Sequence, residues 1–140
     1  MGSTVVAVRL AGDRAVIAHV GDSRVYRLRA GVVAQLTIDH SLVAQLVAAG
    51  MTPAADYPWR HVVTRALGTP TGEPDVTCEE VRPGDVFLLC SDGLSEVLTD
   101  AEIAMLLDAP AELACRRLVD AAYAAGSRDN ISSIVVRVLP

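Results

Sequence analysis

Two short acidic turns carry the residues of this sequence best suited to chemistry. One is Ser91-Asp92-Gly93, set directly after the apolar run Val86-Phe87-Leu88-Leu89-Cys90. The other is Asp129-Asn130, set after Gly126-Ser127-Arg128 and before the apolar run that starts at Ile131. A carboxylate at the rim of a buried strand is unfavourable unless a cation meets it. Two of them suggest a hard metal ion held by oxygen ligands. On this reading Asp92 and Asp129 are ligands, Gly93 lets the backbone turn sharply, and Asn130 supports the second turn. Each turn also has a reading without chemistry: Ser-Asp-Gly is a common turn, and Asp129-Asn130 suits an Asx-turn after a helix C-cap. A third acidic turn, Gly21-Asp22-Ser23-Arg24, reads as a hairpin turn in which Asp22 bonds its own backbone and Arg24 pairs with it. Holding an ion is its sharper alternative.

Other reactive types are less promising. His19, His40 and His61 are not spaced as a metal site. His19 reads as a hydrogen-bonded core or edge residue, and His40 follows Asp39 in a helix-capping turn. Cys78, Cys90 and Cys115 are odd in number, widely spaced and outside any CxxC, so the expectation is reduced, buried thiols. Cys90 sits beside Asp92, and an acidic neighbour raises a thiol pKa and disfavours nucleophilic use.

The elements that must position these residues follow from patterning. Residues 4–10, 15–20, 25–29 and 32–36 read as four short strands joined by tight turns, an antiparallel meander. Asp39 or Ser41 caps a helix from Leu42 that Gly50 stops, with Leu42, Leu46 and Ala49 on one face. Residues 51–74 lack periodicity and read as a functional loop or flap holding Trp59, the sole tryptophan. Residues 76–81 form a strand, and 86–90, continuously apolar, a strand buried on both faces. Thr99-Asp100-Ala101-Glu102 is a capping box opening a helix to about Leu107. Pro110 starts a second helix with apolar positions Leu113, Leu118, Val119 and Ala122, closed by Gly126. Residues 131–139 are the closing strand. The order gives an α+β fold with mostly antiparallel sheets in one domain, residues 1–140.

Composition narrows the function. The 140 residues are 51% hydrophobic, with a net charge of −5 and only arginine among the 12 basic residues. The mean hydropathy of +0.37 excludes a disordered chain. The negative charge argues against a nucleic-acid partner and suits a site that holds cations. No apolar run reaches the length of a membrane span, and no segment reads as a signal peptide, so the expected location is cytoplasmic.

The order of the motifs carries a resemblance. A Val-rich strand leads into GDSR at 21–24, LTIDHS at 36–41, TRALG at 64–68, GDVFLLCSDGL at 84–94 and GSRDNIS at 126–132. This series resembles the C-terminal portion of a bacterial PP2C-type (PPM family) metal-dependent protein Ser/Thr phosphatase. The resemblance implies an α-β-β-α sandwich of two antiparallel sheets with its N-terminal part missing. It implies hydrolysis of phosphoserine and phosphothreonine in proteins with Mg²⁺ or Mn²⁺, two core ions activating a water that attacks phosphorus in line. By matching motif, Asp92 and Asp129 are metal ligands. Asp22 is the aspartate that joins Asp92 on a weaker third ion, and Ser91 and Gly93 shape the Asp92 turn. Residues 42–68 match the flap over the site. The family's phosphate-gripping Arg and its bridging Asp have no counterpart in these residues, so the chain is expected to supply only part of the site. The implied partners are a phosphoprotein substrate and either the missing N-terminal portion or another copy of the chain. The alternative is a non-catalytic PP2C-like interaction domain or an inactive truncated phosphatase.

Overall fold

The structure, a computed structural model, describes residues 2–140. In chain order the elements are β1 (Val5–Ala11), β2 (Arg14–Val20), β3 (Arg24–Arg29), β4 (Val32–Gln35), α1 (Leu42–Ala48), β5 (Asp75–Glu80), β6 (Val86–Cys90), α2 (Asp92–Ser95), α3 (Asp100–Leu107), α4 (Ala111–Ala124) and β7 (Ser133–Arg137). They form two antiparallel sheets, ordered β1-β2-β5 and β4-β3-β6-β7. The α+β class and the paired antiparallel sheets agree with the sequence reading.

The first four strands are not one meander. β2 pairs with β1 and β5, whereas β3 pairs with β4 and β6. Residues 21–23 are therefore the corner where the chain leaves one sheet for the other, not a hairpin turn. Alternation within each strand is the same for a hairpin and for a change of sheet, so pattern alone could not separate them. The consequence is functional: a corner between layers carries Asp22 to the end of the sandwich.

Two apolar clusters set the layers. Between the sheets lie Ala15, Ile17, Val25, Val81 and Phe87. On the opposite face of the second sheet, Tyr26, Leu28, Leu88 and Cys90 pack with Leu94, Leu98, Ile103, Leu107, Leu118 and Ala122. β6 thus serves both layers, and Val86, Phe87, Leu88 and Cys90 are all buried, as a continuously apolar strand requires. The outer face of the first sheet keeps Val16 and Val76 exposed, at 38% and 61%. The arrangement among the described residues is sheet, sheet and one helical layer of α3 and α4.

The helices follow their caps. Ser41, not Asp39, caps α1, its Oγ accepting from the Ala44 N–H. The Thr99–Glu102 capping box opens α3 with both reciprocal bonds present. Pro110 is the N-cap of α4 rather than its first turn. α4 buries Ala114, Leu118 and Ala122, one i,i+4 row. Leu113, expected on that face, is 41% exposed, because the row that faces the core is Ala114, Leu118 and Ala122, and the neighbour of Ala114 along the helix points about 100° away. Cys78, expected buried, is exposed because it pairs with Val16 on the uncovered outer face of the first sheet. At the far end of the second sheet, Arg29 grips the buried Asp85 through two bonds of 2.8 and 2.7 Å. No helix is long and apolar enough to cross a membrane.

Candidate functional site

Sheet register assembles the site. Arg24 pairs with Cys90, and Cys90 with Ser133, so one row of residues ends the second sheet. Just beyond that row the chain carries Asp22 ahead of β3, Asp92 after β6 and Asp129 ahead of β7. Three acidic turns that are far apart in sequence are thus gathered at one sheet end. Asp92 does not sit in an open turn as expected: it is the first residue of the short helix α2, with Ser91 as N-cap.

The backbone there is tightly cross-linked. Ser91 Oγ donates to the Asn130 carbonyl at 3.0 Å and accepts from the Ser132 N–H at 3.0 Å. Ser127 Oγ donates to the Gly93 carbonyl at 2.6 Å. A Cβ at Gly93 would lie 2.4 Å from the Asn130 carbonyl oxygen, so only glycine lets the 129–130 backbone close over α2. Asp92 Oδ1 accepts from the Gly93 N–H at 2.8 Å, and Asp129 Oδ1 from the Asn130 N–H at 2.7 Å. Both carboxylates bond the N–H of the very next residue, not the i+2 N–H of an Asx-turn, and each leaves further carboxylate lone pairs free.

The electrostatics are those of crowded acids. Burial, then the charge of Asp92, pushes the Asp22 carboxyl above the ordinary carboxylate range; Asp39 and Glu96 add to this, and a bond from its own backbone opposes it. Burial, then Asp129, likewise raises Asp92. Among the described residues none of Asp22, Asp92 and Asp129 forms a salt bridge. Arg24, expected to pair with Asp22, is instead held by Asp39 through bonds of 2.9 and 2.7 Å and donates to the Tyr26 hydroxyl at 2.9 Å.

Asp22, Asp92 and Glu96 line a pocket with Arg24, Asp39 and Ser95, bordered by Val43 and Arg60 of the segment after Ser41. Ser95 Oγ is buried there without a hydrogen-bond partner. Hard oxygen donors, mutual repulsion, no salt bridge to Asp22 or Asp92 among the described residues and an orphaned hydroxyl together fit a divalent cation. Glu96 was missed from sequence. Its signal was the i,i+4 spacing from Asp92, visible only once a helix starts at Asp92.

His19 is a hydrogen-bonded core residue, as expected, but its pairing with His40 was not legible in the sequence. His19 and His40 are both buried and stacked, with ring centroids 4.5 Å apart. With Asp75 they present ligand-type atoms within 4.8 Å of one another. Arg65 already supplies a cation to that group, Nη1 donating to Asp75 Oδ1 at 2.8 Å. His61 is exposed beside Glu96. Burial pushes the Cys90 thiol up to about 12, and Asp92 adds only a smaller push. The thiol is a core residue, as expected.

Comparison with known proteins shows the family and the fold. Residues 1–131 match the family described as Protein phosphatase 2C. The serine/threonine protein phosphatase PstP of Mycobacterium tuberculosis is 42% identical over 144 residues, covering 99% of this chain and 28% of PstP. The crystal structure of that phosphatase superposes with a TM-score of 0.93 at 38% identity, covering 100% of this chain and 61% of the crystallised one. The PstP catalytic domain in complex with two manganese ions superposes at 0.88 with 37% identity, covering 100% of this chain and 60% of that one. The chain spans 28% to 58% of the length of its curated relatives.

Proposed function

Because this chain belongs to the protein phosphatase 2C family, we propose that it takes part in metal-dependent hydrolysis of phosphoserine and phosphothreonine in proteins, supplying part of the metal site. One observation carries the reading: Asp22, Asp92 and Asp129 converge at one sheet end with no cationic partner among the described residues. Asp92 and Asp129 would hold Mg²⁺ or Mn²⁺, and Asp22 with Asp92 a weaker further ion, with Glu96 beside them. Bound metal supplies Lewis acidity to the phosphoryl oxygens and lowers the pKa of water.

The chain's own residues orient and hold. Ser91, Ser127 and Gly93 fix the two aspartate turns against each other, so the carboxylates need little reorganisation on binding. Asn130 supports the second turn through its N–H to Asp129. Hydrolysis forms one P–O bond from water and breaks the P–O bond to the Ser or Thr oxygen, releasing inorganic phosphate. Val43 and Arg60 border the pocket, which supports reading residues 42–68 as a flap over it. Three aspartates are few ligands for a tight Mg²⁺ or Mn²⁺ site, so others come from water or from outside this chain. The apolar outer face of the first sheet supports an association that covers it.

The test is Mn²⁺-dependent hydrolysis of p-nitrophenyl phosphate and of a phosphothreonine peptide, with Asp92→Asn as control. Activity lost in the variant supports the site. Turnover unchanged by Asp92→Asn overturns it.

A further inference from the structure

His40 lies outside the acidic pocket, yet it holds the turn that carries Asp22. Its backbone N–H donates to the Gly21 carbonyl at 2.9 Å, and its Nδ1 accepts from the Gly21 N–H at 3.1 Å. One residue therefore satisfies both backbone groups of Gly21. A peptide N–H can only donate, so Nδ1 bears no proton and the ring proton sits on Nε2. That proton points at Asp75 Oδ2, 3.0 Å away. The other Asp75 oxygen accepts from Arg65 at 2.8 Å, and the His40 carbonyl accepts from the Thr64 N–H at 2.8 Å. His40 is thus bonded to the corner turn on one side and to residues 64–65 of the covering segment on the other.

Gly21 needs such support. Its φ is +107°, and a Cβ would stand 2.4 Å from Thr4 Cγ2, so no other residue fits. Glycine is also the residue least able to hold its own conformation. His40 is 6% exposed, so water cannot take over its bonds. The His19 ring, stacked on it and bonded at 2.8 Å to the Ile38 carbonyl, fixes its plane.

We propose that His40 is a positioning residue for Asp22: its ring holds the Val20–Gly21 peptide and its backbone N–H the Gly21–Asp22 peptide, which together aim the carboxylate toward Asp92, and it couples that aim to residues 64–65 of the covering segment. The inference rests on the reading of Asp22 as a metal ligand.

The test uses the whole chain and Mn²⁺ alone, with bound ion measured by electron paramagnetic resonance. Three variants are compared: Asp22→Asn, His40→Gln and His40→Asn. Asparagine places an acceptor where Nδ1 stands and keeps the Gly21 bond. Glutamine reaches toward Asp75 and leaves the Gly21 N–H unpaired. The expected result is weaker binding in Asp22→Asn, roughly tenfold weaker binding in His40→Gln, and recovery in His40→Asn. If Asp22→Asn weakens binding while His40→Gln binds like the unmodified chain, the positioning role is overturned and the metal reading stands. If Asp22→Asn changes nothing, the metal reading fails and the proposal with it. If both His40 variants weaken binding equally, the histidine is only structural and the proposal is overturned. A measurement independent of mutant folding is amide exchange at Gly21 in the unmodified chain. Binding and turn order are reciprocally linked, so Mn²⁺ should slow that exchange. Exchange unaffected by saturating Mn²⁺ overturns the proposal.

Discussion

Gly93→Ala sets two effects of comparable size against each other at one atom. Gly93 lies in α2 with a normal backbone, and in a helix Gly→Ala is favourable by about 1 kcal/mol. Against this, the new Cβ would lie 2.4 Å from the Asn130 carbonyl oxygen and 3.1 Å from the Asn130 carbonyl carbon. Ordinary contact begins near 3.5 Å, so the 129–130 backbone must retreat by about 1 Å. Overpacking of this kind destabilises by about 1–3 kcal/mol. The retreat also strains the bonds Ser91 Oγ–Asn130 O and Ser127 Oγ–Gly93 O, each worth about 1 kcal/mol. The clash and the strained bonds outweigh the helical gain, and the expected net loss is about 1–3 kcal/mol. Urea unfolding in EDTA reads it directly, and thermal unfolding reads it as a fall of about 4 °C per kcal/mol. Mn²⁺ binding should weaken too, because Asp129 moves with its backbone. Gly12→Ala is the contrast: φ is +60° and the space beyond is open, so it adds backbone strain without touching the site. A Gly93→Ala chain as stable as the unmodified one, with unchanged Mn²⁺ binding, refutes the reasoning. The close approach would then not be what fixes Asp129.

Other outcomes follow from the same structure. Asp92→Asn should raise the unfolding temperature in EDTA and abolish the stabilisation that Mn²⁺ gives, since it removes both a repulsive charge and a ligand; a fall in EDTA would show that the acids are not in conflict. The folded pKa values of Asp22 and Asp92 lie above the unfolded value of 3.8, so the native state binds more protons than the unfolded one just above that pH. Their contribution therefore declines as pH rises through that window, and the gain from Asp92→Asn should appear over the same range in an EDTA titration. Asp85 has the opposite sign: bonded to Arg29, its carboxyl is held below 3.8, so it stabilises above that pH and this is lost as pH falls through the folded value. Arg29→Met should be far more destabilising than Arg82→Met, because it strands a buried carboxylate; equal urea midpoints would contradict this. Thr99→Ala should cost about 1 kcal/mol by chemical denaturation through loss of the capping box, and no loss would mean that packing alone sets the start of α3.

The sequence by itself determined the local elements and the family. Alternation and turn residues mark the strands, Ser41 and Thr99 mark helix starts, and the order of GDSR, SDGL and RDN marks the candidate site residues, because each signal lies within a few neighbouring positions. Only the tertiary structure decided where those pieces meet. That residues 21–23 change sheets rather than close a hairpin depends on which strand β3 pairs with. That Arg24 answers Asp39 rather than Asp22 depends on the loop returning from β4. Glu96 joins the pocket only because a helix begins at Asp92. His40, unpromising by spacing, became a junction because Gly21 and Asp75 reach it from positions 19 and 35 residues away. Local propensity is written along the chain, whereas charge pairing and backbone approach depend on long-range register, which no short window of sequence contains.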